Sequence, residues 1–134
     1  MIERHVDWPS RLNLYLIDVQ KRIPNGELDY ITLDCCRFVA DGVVAMTGTD
    51  LFKKYRKRYK SKIGAARVLK RLGGLRTALG SILGEEIHKA MACHGDIVFW
   101  DGACGWCLGR KCLFLSDAGF SLVPTLKIDC AFHV

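Results

Sequence analysis

Two adjacent cysteines, Cys35 and Cys36, follow Asp34 and open the apolar run Phe38-Val39-Ala40-Asp41-Gly42-Val43-Val44-Ala45-Met46-Thr47-Gly48. Asp34 is a good helix N-cap, because its carboxylate can accept from a free backbone N–H of the first turn. Both thiols then fall in that turn, where unpaired N–H groups and the helix dipole favour negative charge. A thiolate is such a charge. The pattern therefore predicts a thiol of lowered pKa, and a candidate catalytic nucleophile, at Cys35. Cys36 reads as a small buried apolar residue.

The chain carries seven cysteines. Met1-Ile2-Glu3-Arg4-His5 opens no apolar run, so a Sec leader is not expected and the cysteines read as reduced thiols. Cys104, Cys107 and Cys112 form a C-x2-C-x4-C set among Gly102, Gly105 and Gly109. Such a set could hold zinc or an iron–sulfur cluster with Cys93, His94 or Cys130 as fourth ligand. No second C-x2-C pair exists, and Cys107 and Cys112 lie in β-like sequence, so neither a metal nor a cofactor is expected.

These residues must be positioned by one domain: the chain has 134 residues, half of them hydrophobic. No apolar run of about 18 residues occurs, so no membrane span is expected. Trp8, Leu12, Tyr15, Leu16 and Val19 recur at helical spacing and predict a first helix from Trp8 to about Arg22, stopped by Pro24-Asn25-Gly26. The second helix runs from Cys35 to Thr47 and ends at Gly48. Gly42 in its middle costs about 1 kcal/mol against Ala, which marks a close approach to another element. Further helices are expected over Leu51 to Tyr59, Lys62 to Leu72 and Leu75 to Met91, the last weakened at Gly80 and Gly84. Strands follow at Ile97-Val98-Phe99-Trp100, Trp106-Cys107-Leu108, Cys112-Leu113-Phe114-Leu115 and Phe120-Ser121-Leu122-Val123, with turns at Asp101-Gly102 and Asp117-Ala118-Gly119. Helices first and a small antiparallel sheet after them give an α+β fold.

The net charge is +6, yet Leu51 to Gly84 alone holds eleven Lys or Arg and no acid. A basic segment in an otherwise acidic chain calls for an anionic or acidic partner. Lys53, Lys54, Tyr55, Arg56, Lys57 and Arg58 are its candidate partner-binding residues, with Phe52, Tyr55 and Tyr59 as anchors. Nucleic acid is not the expected partner, since no nucleic-acid-binding module is present.

Asp34-Cys35 followed by Gly95-Asp96-Ile97-Val98-Phe99-Trp100 and a β-meander resembles the NlpC-type cell-wall peptidases. The resemblance implies a papain-like fold, with Cys35 as nucleophile and a histidine opening the strand after the Gly-Asp segment as base. Here the matching stretch is Ala103-Cys104-Gly105-Trp106-Cys107-Leu108-Gly109, with Ala103 at the histidine's place. His94, directly before Gly95-Asp96, could replace that base, and His133 is a second candidate. A nearer resemblance, to small proteins of phage tail-gene modules, prophage-like and gene-transfer-agent clusters, covers almost the whole chain. It is carried by Trp8 to Leu16, Asp34 to Gly48, Arg56 to Ala65, Gly95 to Trp100 and Gly105 to Gly109. It implies a structural component of a phage tail tip or baseplate, packed against hub and distal tail proteins, made in the host cytoplasm and residing in the virion. The alternatives are an active thiol peptidase or amidase cutting peptidoglycan peptides during genome entry, and a basic adaptor for nucleic acid or an acidic partner.

Overall fold

The computed structural model describes residues 3–23, 27–30 and 33–134. Four helices come first: α1 (Trp8–Arg22), α2 (Cys35–Thr47), α3 (Lys62–Arg71) and α4 (Leu75–Leu83). Five strands follow: β1 (Ile97–Trp100), β2 (Ala103–Cys107), β3 (Lys111–Ser116), β4 (Gly119–Pro124) and β5 (Cys130–Phe132). They form one antiparallel sheet in the order β4-β3-β2-β1-β5. The α+β expectation holds. The expected Pro24-Asn25-Gly26 turn lies outside the described residues.

Helix α1 buries Leu12, Leu16 and Val19, one stripe at helical spacing. It lies along α2, where the Tyr15 hydroxyl donates to the Phe38 carbonyl at 2.7 Å. Helix α2 has the expected cap: Asp34 Oδ1 accepts from the Arg37 amide at 2.9 Å. It ends at Gly48 in the left-handed region, the conformation that a helix stop of this kind requires. Phe38, Val39, Val43 and Met46 are fully buried, so α2 is the central helix. The close approach at Gly42 is to the Trp106 indole of β2, which a Cβ would meet at 2.3 Å.

The sheet places alternate residues on opposite faces. Ile97, Cys104, Trp106, Leu113, Leu115, Cys130 and Phe132 pack with the helices. Val98, Cys107, Cys112, Phe114, Val123 and Ala131 form a smaller cluster on the other side, with Ile128, Ile87 and Ala92. Asp101 and Gly102 both have positive φ, 48° and 76°, as a tight two-residue turn between β1 and β2 demands.

Two helix expectations need correction. Leu51 to Tyr59 is not a helix; only the 3-10 turn Lys53–Tyr55 forms. The Asp50 carboxylate accepts from the Phe52 amide at 3.0 Å, and the Arg37 guanidinium takes the carbonyls of Arg56 and Tyr59. Side chains thus satisfy backbone groups that a helix would have used. The stretch from Leu75 to Met91 is helical only to Leu83. Gly84 turns the chain with φ 102°, Ile87 then pairs with Ala131 beside β5, and Lys89–Met91 is a short 3-10 turn. No helix among the described residues is long and apolar enough to cross a membrane.

Candidate functional site

The first turn of α2 and the middle of the sheet meet at sulfur. The Sγ atoms of Cys35, Cys36 and Cys104 all lie within 4.8 Å of one another. Cys104 is fully buried on β2, facing the helices; Cys35 and Cys36 are partly buried. The Cys104 thiol also reaches the Cys35 carbonyl at 3.4 Å. The Cys104 and Cys36 thiols hydrogen-bond the Cys35 sulfur and hold its pKa well below the ordinary thiol value, against the opposing effect of burial. Cys104 is pushed well up by its bonds to Cys35 and Cys36 and by burial. At Cys36 the bond to Cys104 pulls downward. Its bond to Cys35, burial and the charge on Cys35 outweigh that pull and raise it. The arrangement is three converging sulfurs, of which Cys35 is the one whose ionisation its neighbours favour. Chemically it can act as a nucleophile, a thiol–disulfide centre or a soft-metal ligand set.

Beside the thiols lies a buried polar network. Asp34 Oδ2 accepts from Arg37 Nη1 at 2.6 Å and from the Tyr59 hydroxyl at 2.8 Å. Arg37 donates in addition to the carbonyl of Tyr30 at 2.9 Å. Desolvation, with the adjacent Asp34 carboxylate, drives the Tyr59 phenol far above its ordinary pKa, so it stays a donor. On the same side is a cleft of about 680 Å³, counting the solvent at its open mouth. Cys35 and Cys36 line it together with Val68, Leu72, Leu79 and Ile82 of the α3–α4 region.

His94 is not brought to Cys35. Its ring packs edge-on against Trp8, with centroids 5.2 Å apart. The Trp8 amide bonds to the His5 carbonyl, and the His5 amide to the Met46 carbonyl, near the C-terminal end of α2. Cys35 opens the same helix, about 17 Å away at 1.5 Å of rise per residue. His133 belongs to the His94 end too. Its Nδ1 lies 3.0 Å from Oδ1 of the buried Asp96, a carboxylate that also faces Arg4 at 3.6 Å. Ala103 sits opposite Trp100 at the β1–β2 turn, one residue before Cys104.

The C-x2-C-x4-C set does not converge. Cys104 and Cys107 are an odd number of residues apart on β2 and therefore face opposite sides of the sheet. Cys107 and Cys112 pair across β2 and β3 on the far face, where the Cys112 thiol lowers the Cys107 pKa to about 6. Cys36 packs against the main core, as a small apolar residue does, and its sulfur also lies in the thiol cluster. The grouping of Cys35 and Cys36 with Cys104 was missed from sequence. Its one available signal was the small residue at Gly42 facing a large one at Trp106: aligning those two sets Cys104 beside the start of α2.

In the basic segment, Lys53, Lys54, Lys57 and Arg58 are exposed. Lys54 and Arg58 flank the Tyr55 ring, at 5.1 and 5.0 Å from its centroid. Arg56 turns inward, 2.7 Å from both Asp41 and Asp50. Phe52 is buried in the core and Tyr59 is bound to Asp34, so neither is an outward anchor; Tyr55 alone of the three keeps that position.

Residues 3–134 match the model of a family described as a domain of unknown function, DUF6950. The chain belongs to this family. The match takes in all four helices, all five strands and the three-thiol cluster, so the site lies wholly within the DUF6950 domain. No curated protein matches the chain.

Proposed function

We propose that this DUF6950 chain is a papain-like domain that serves as a structural component of a phage tail tip or baseplate, on a scaffold whose peptidase machinery is degenerate. The observation that carries the reading is the company of the Cys35 sulfur: the Cys36 and Cys104 sulfurs lie within 4.8 Å of it, and neither candidate histidine does. The cap, the helix-borne cysteine and the helix–sheet contact support the papain-like frame. Both candidate histidines sit toward the other end of α2. A thiolate can attack an amide, but the leaving nitrogen also needs a proton, and such general acid–base help is worth about 10²–10⁴-fold. Purified peptidoglycan incubated with the wild-type chain, Cys35→Ala and His94→Ala is expected to release peptide no faster than a buffer blank in all three cases. Tails carrying Cys35→Ala should still assemble.

A second reading, a thiol peptidase or amidase acting on peptidoglycan, is favoured by the lowered pKa of Cys35 at a helix start. Release by the wild type that disappears in Cys35→Ala would establish it.

The tail reading also assigns the exposed cations a partner, the acidic rim of a neighbouring tail protein. Lys57→Glu with Arg58→Glu is expected to lower incorporation into tails several-fold while leaving the melting temperature within about 2 °C, since exposed charges contribute little to stability. Incorporation at the wild-type level, or tight and steeply salt-dependent binding of the isolated chain to DNA, would defeat this assignment.

A further inference from the structure

We propose that Cys35, Cys36 and Cys104 form a three-sulfur site for a soft d10 metal ion, Cu(I) or Zn(II). The inference goes beyond the tail-scaffold reading and does not depend on it.

The geometry is close to what such an ion needs. An ion about 2.3 Å from each of three sulfurs sets them about 3.8–4.0 Å apart. These three lie within 4.8 Å of one another, so an adjustment of less than about 1 Å closes the site. The ligands come from rigid elements. Two are consecutive residues in the capped first turn of α2, and the third is on β2, paired on both sides by β1 and β3. Helix and strand are locked together by the Gly42–Trp106 contact.

The chemistry selects the ion. The cluster is all sulfur. The nearby Asp34 carboxylate is already committed to the Arg37 amide, the Arg37 guanidinium and the Tyr59 hydroxyl. A thiolate-only set favours Cu(I) and Zn(II) over oxygen-seeking Mg²⁺ or Ca²⁺. Three thiolates with one such ion leave a net negative charge, which the N-terminal N–H groups of α2 face. Cu(I) is satisfied by three sulfurs; Zn(II) would add a water as fourth ligand, and the cleft bordered by Cys35 and Cys36 gives that water access. Each thiol that binds sheds its proton to solvent as the ion enters.

The test uses the full chain, reduced and stripped of metal, titrated in turn with Cd(II) as a sulfur-reporting probe, Zn(II) and Cu(I). Native mass spectrometry and charge-transfer absorption read the binding. One ion per chain and a sulfur-to-cadmium band are expected. Cys36→Ala and Cys104→Ala should each weaken binding by more than the ~10–100-fold typical of losing an outer-shell partner, while Cys93→Ala and Cys107→Ala bind as the wild type does. Competition between Zn(II) and Cu(I) ranks the two ions. X-ray absorption on the loaded wild type guards against a variant that fails to fold: three sulfurs at about 2.3 Å support the site. Absence of stoichiometric binding, binding that survives both Cys36→Ala and Cys104→Ala, or a first shell with fewer than three sulfurs would overturn it.

Discussion

Arg37→Ala should cost the fold about 3–5 kcal/mol, a large share of the 5–15 kcal/mol typical of a whole domain. Arg37 and Asp34 are both buried, with side chains 5% and 3% exposed. An exposed ion pair would contribute little. This pair differs because removing one partner strands the other's charge away from water. Arg37 does more than neutralise Asp34. Its guanidinium donates to the carbonyls of Tyr30, Arg56 and Tyr59, and lies over the Tyr59 ring at 4.3 Å. Among the described residues no buried side-chain N or O lacks a partner, so the network is complete, and deleting its centre leaves three carbonyls and a carboxylate short of donors. Urea unfolding of Arg37→Ala against wild type measures the loss, read from the midpoint at unchanged slope. In a cycle with Asp34→Asn the two losses should fall well short of additive, because the second removes the charge that the first strands. A loss below about 1 kcal/mol, or strict additivity, would show that the network adds little to stability. Loosening it should also loosen the first turn of α2, so the alkylation rate of Cys35 should rise in Arg37→Ala.

The local rules that place Cys35 were legible in the sequence. Asp34 as cap, the apolar positions Phe38, Val39, Val43 and Met46, and Gly48 as stop are short-range signals, and each is where the sequence puts it. The strands were legible for the same reason: Asp101-Gly102 and Asp117-Ala118-Gly119 punctuate apolar runs. What could not be read were the interactions made over long sequence separations. Arg37 sits three residues after its cap yet takes the carbonyls of Arg56 and Tyr59, and that is why the Leu51 to Tyr59 pattern fails as a helix. Cys104 was grouped with Cys107 by spacing, whereas strand alternation sends the two thiols to opposite faces. It joins Cys35, 69 residues earlier, because α2 crosses β2 there. The family pattern points to Ala103, and His94 was a substitute base chosen for its place directly before Gly95-Asp96. Placing it needed the path of α1, whose Trp8 holds the His94 ring toward the far end of the helix.

Gly42→Leu should destabilise the protein by about 3 kcal/mol or more, and Gly42→Ala by about 1–2 kcal/mol, although either residue is a better helix former than glycine. Helix propensity alone predicts the opposite, a gain of about 1 kcal/mol for Ala at a mid-helix glycine. The indole decides the sign. A Cβ on Gly42 would stand 2.3 Å from Trp106 Cζ2, 2.6 Å from Cε2 and 2.8 Å from Nε1, distances that real Cβ atoms do not tolerate. The ring cannot swing away. Trp106 is fully buried within the main core, on a strand hydrogen-bonded on both sides, and its Nε1 reaches the Phe38 carbonyl at 3.5 Å. The helix must therefore lift from the sheet, and a close-packed core cannot absorb that shift without loss of contacts. Trp106→Phe removes the clashing atoms. In the Gly42→Ala background it should cost at least about 1 kcal/mol less than it does in the wild type, the coupling expected of residues in direct contact. Because the same crossing brings Cys104 to Cys35 and Cys36, lifting α2 should also separate the three sulfurs. Cadmium binding by Gly42→Ala should fall along with its melting temperature, and recover in Gly42→Ala/Trp106→Phe. A Gly42→Ala chain as stable as the wild type, or a cycle whose terms simply add, would mean that the contact between α2 and β2 is not what aligns the cluster.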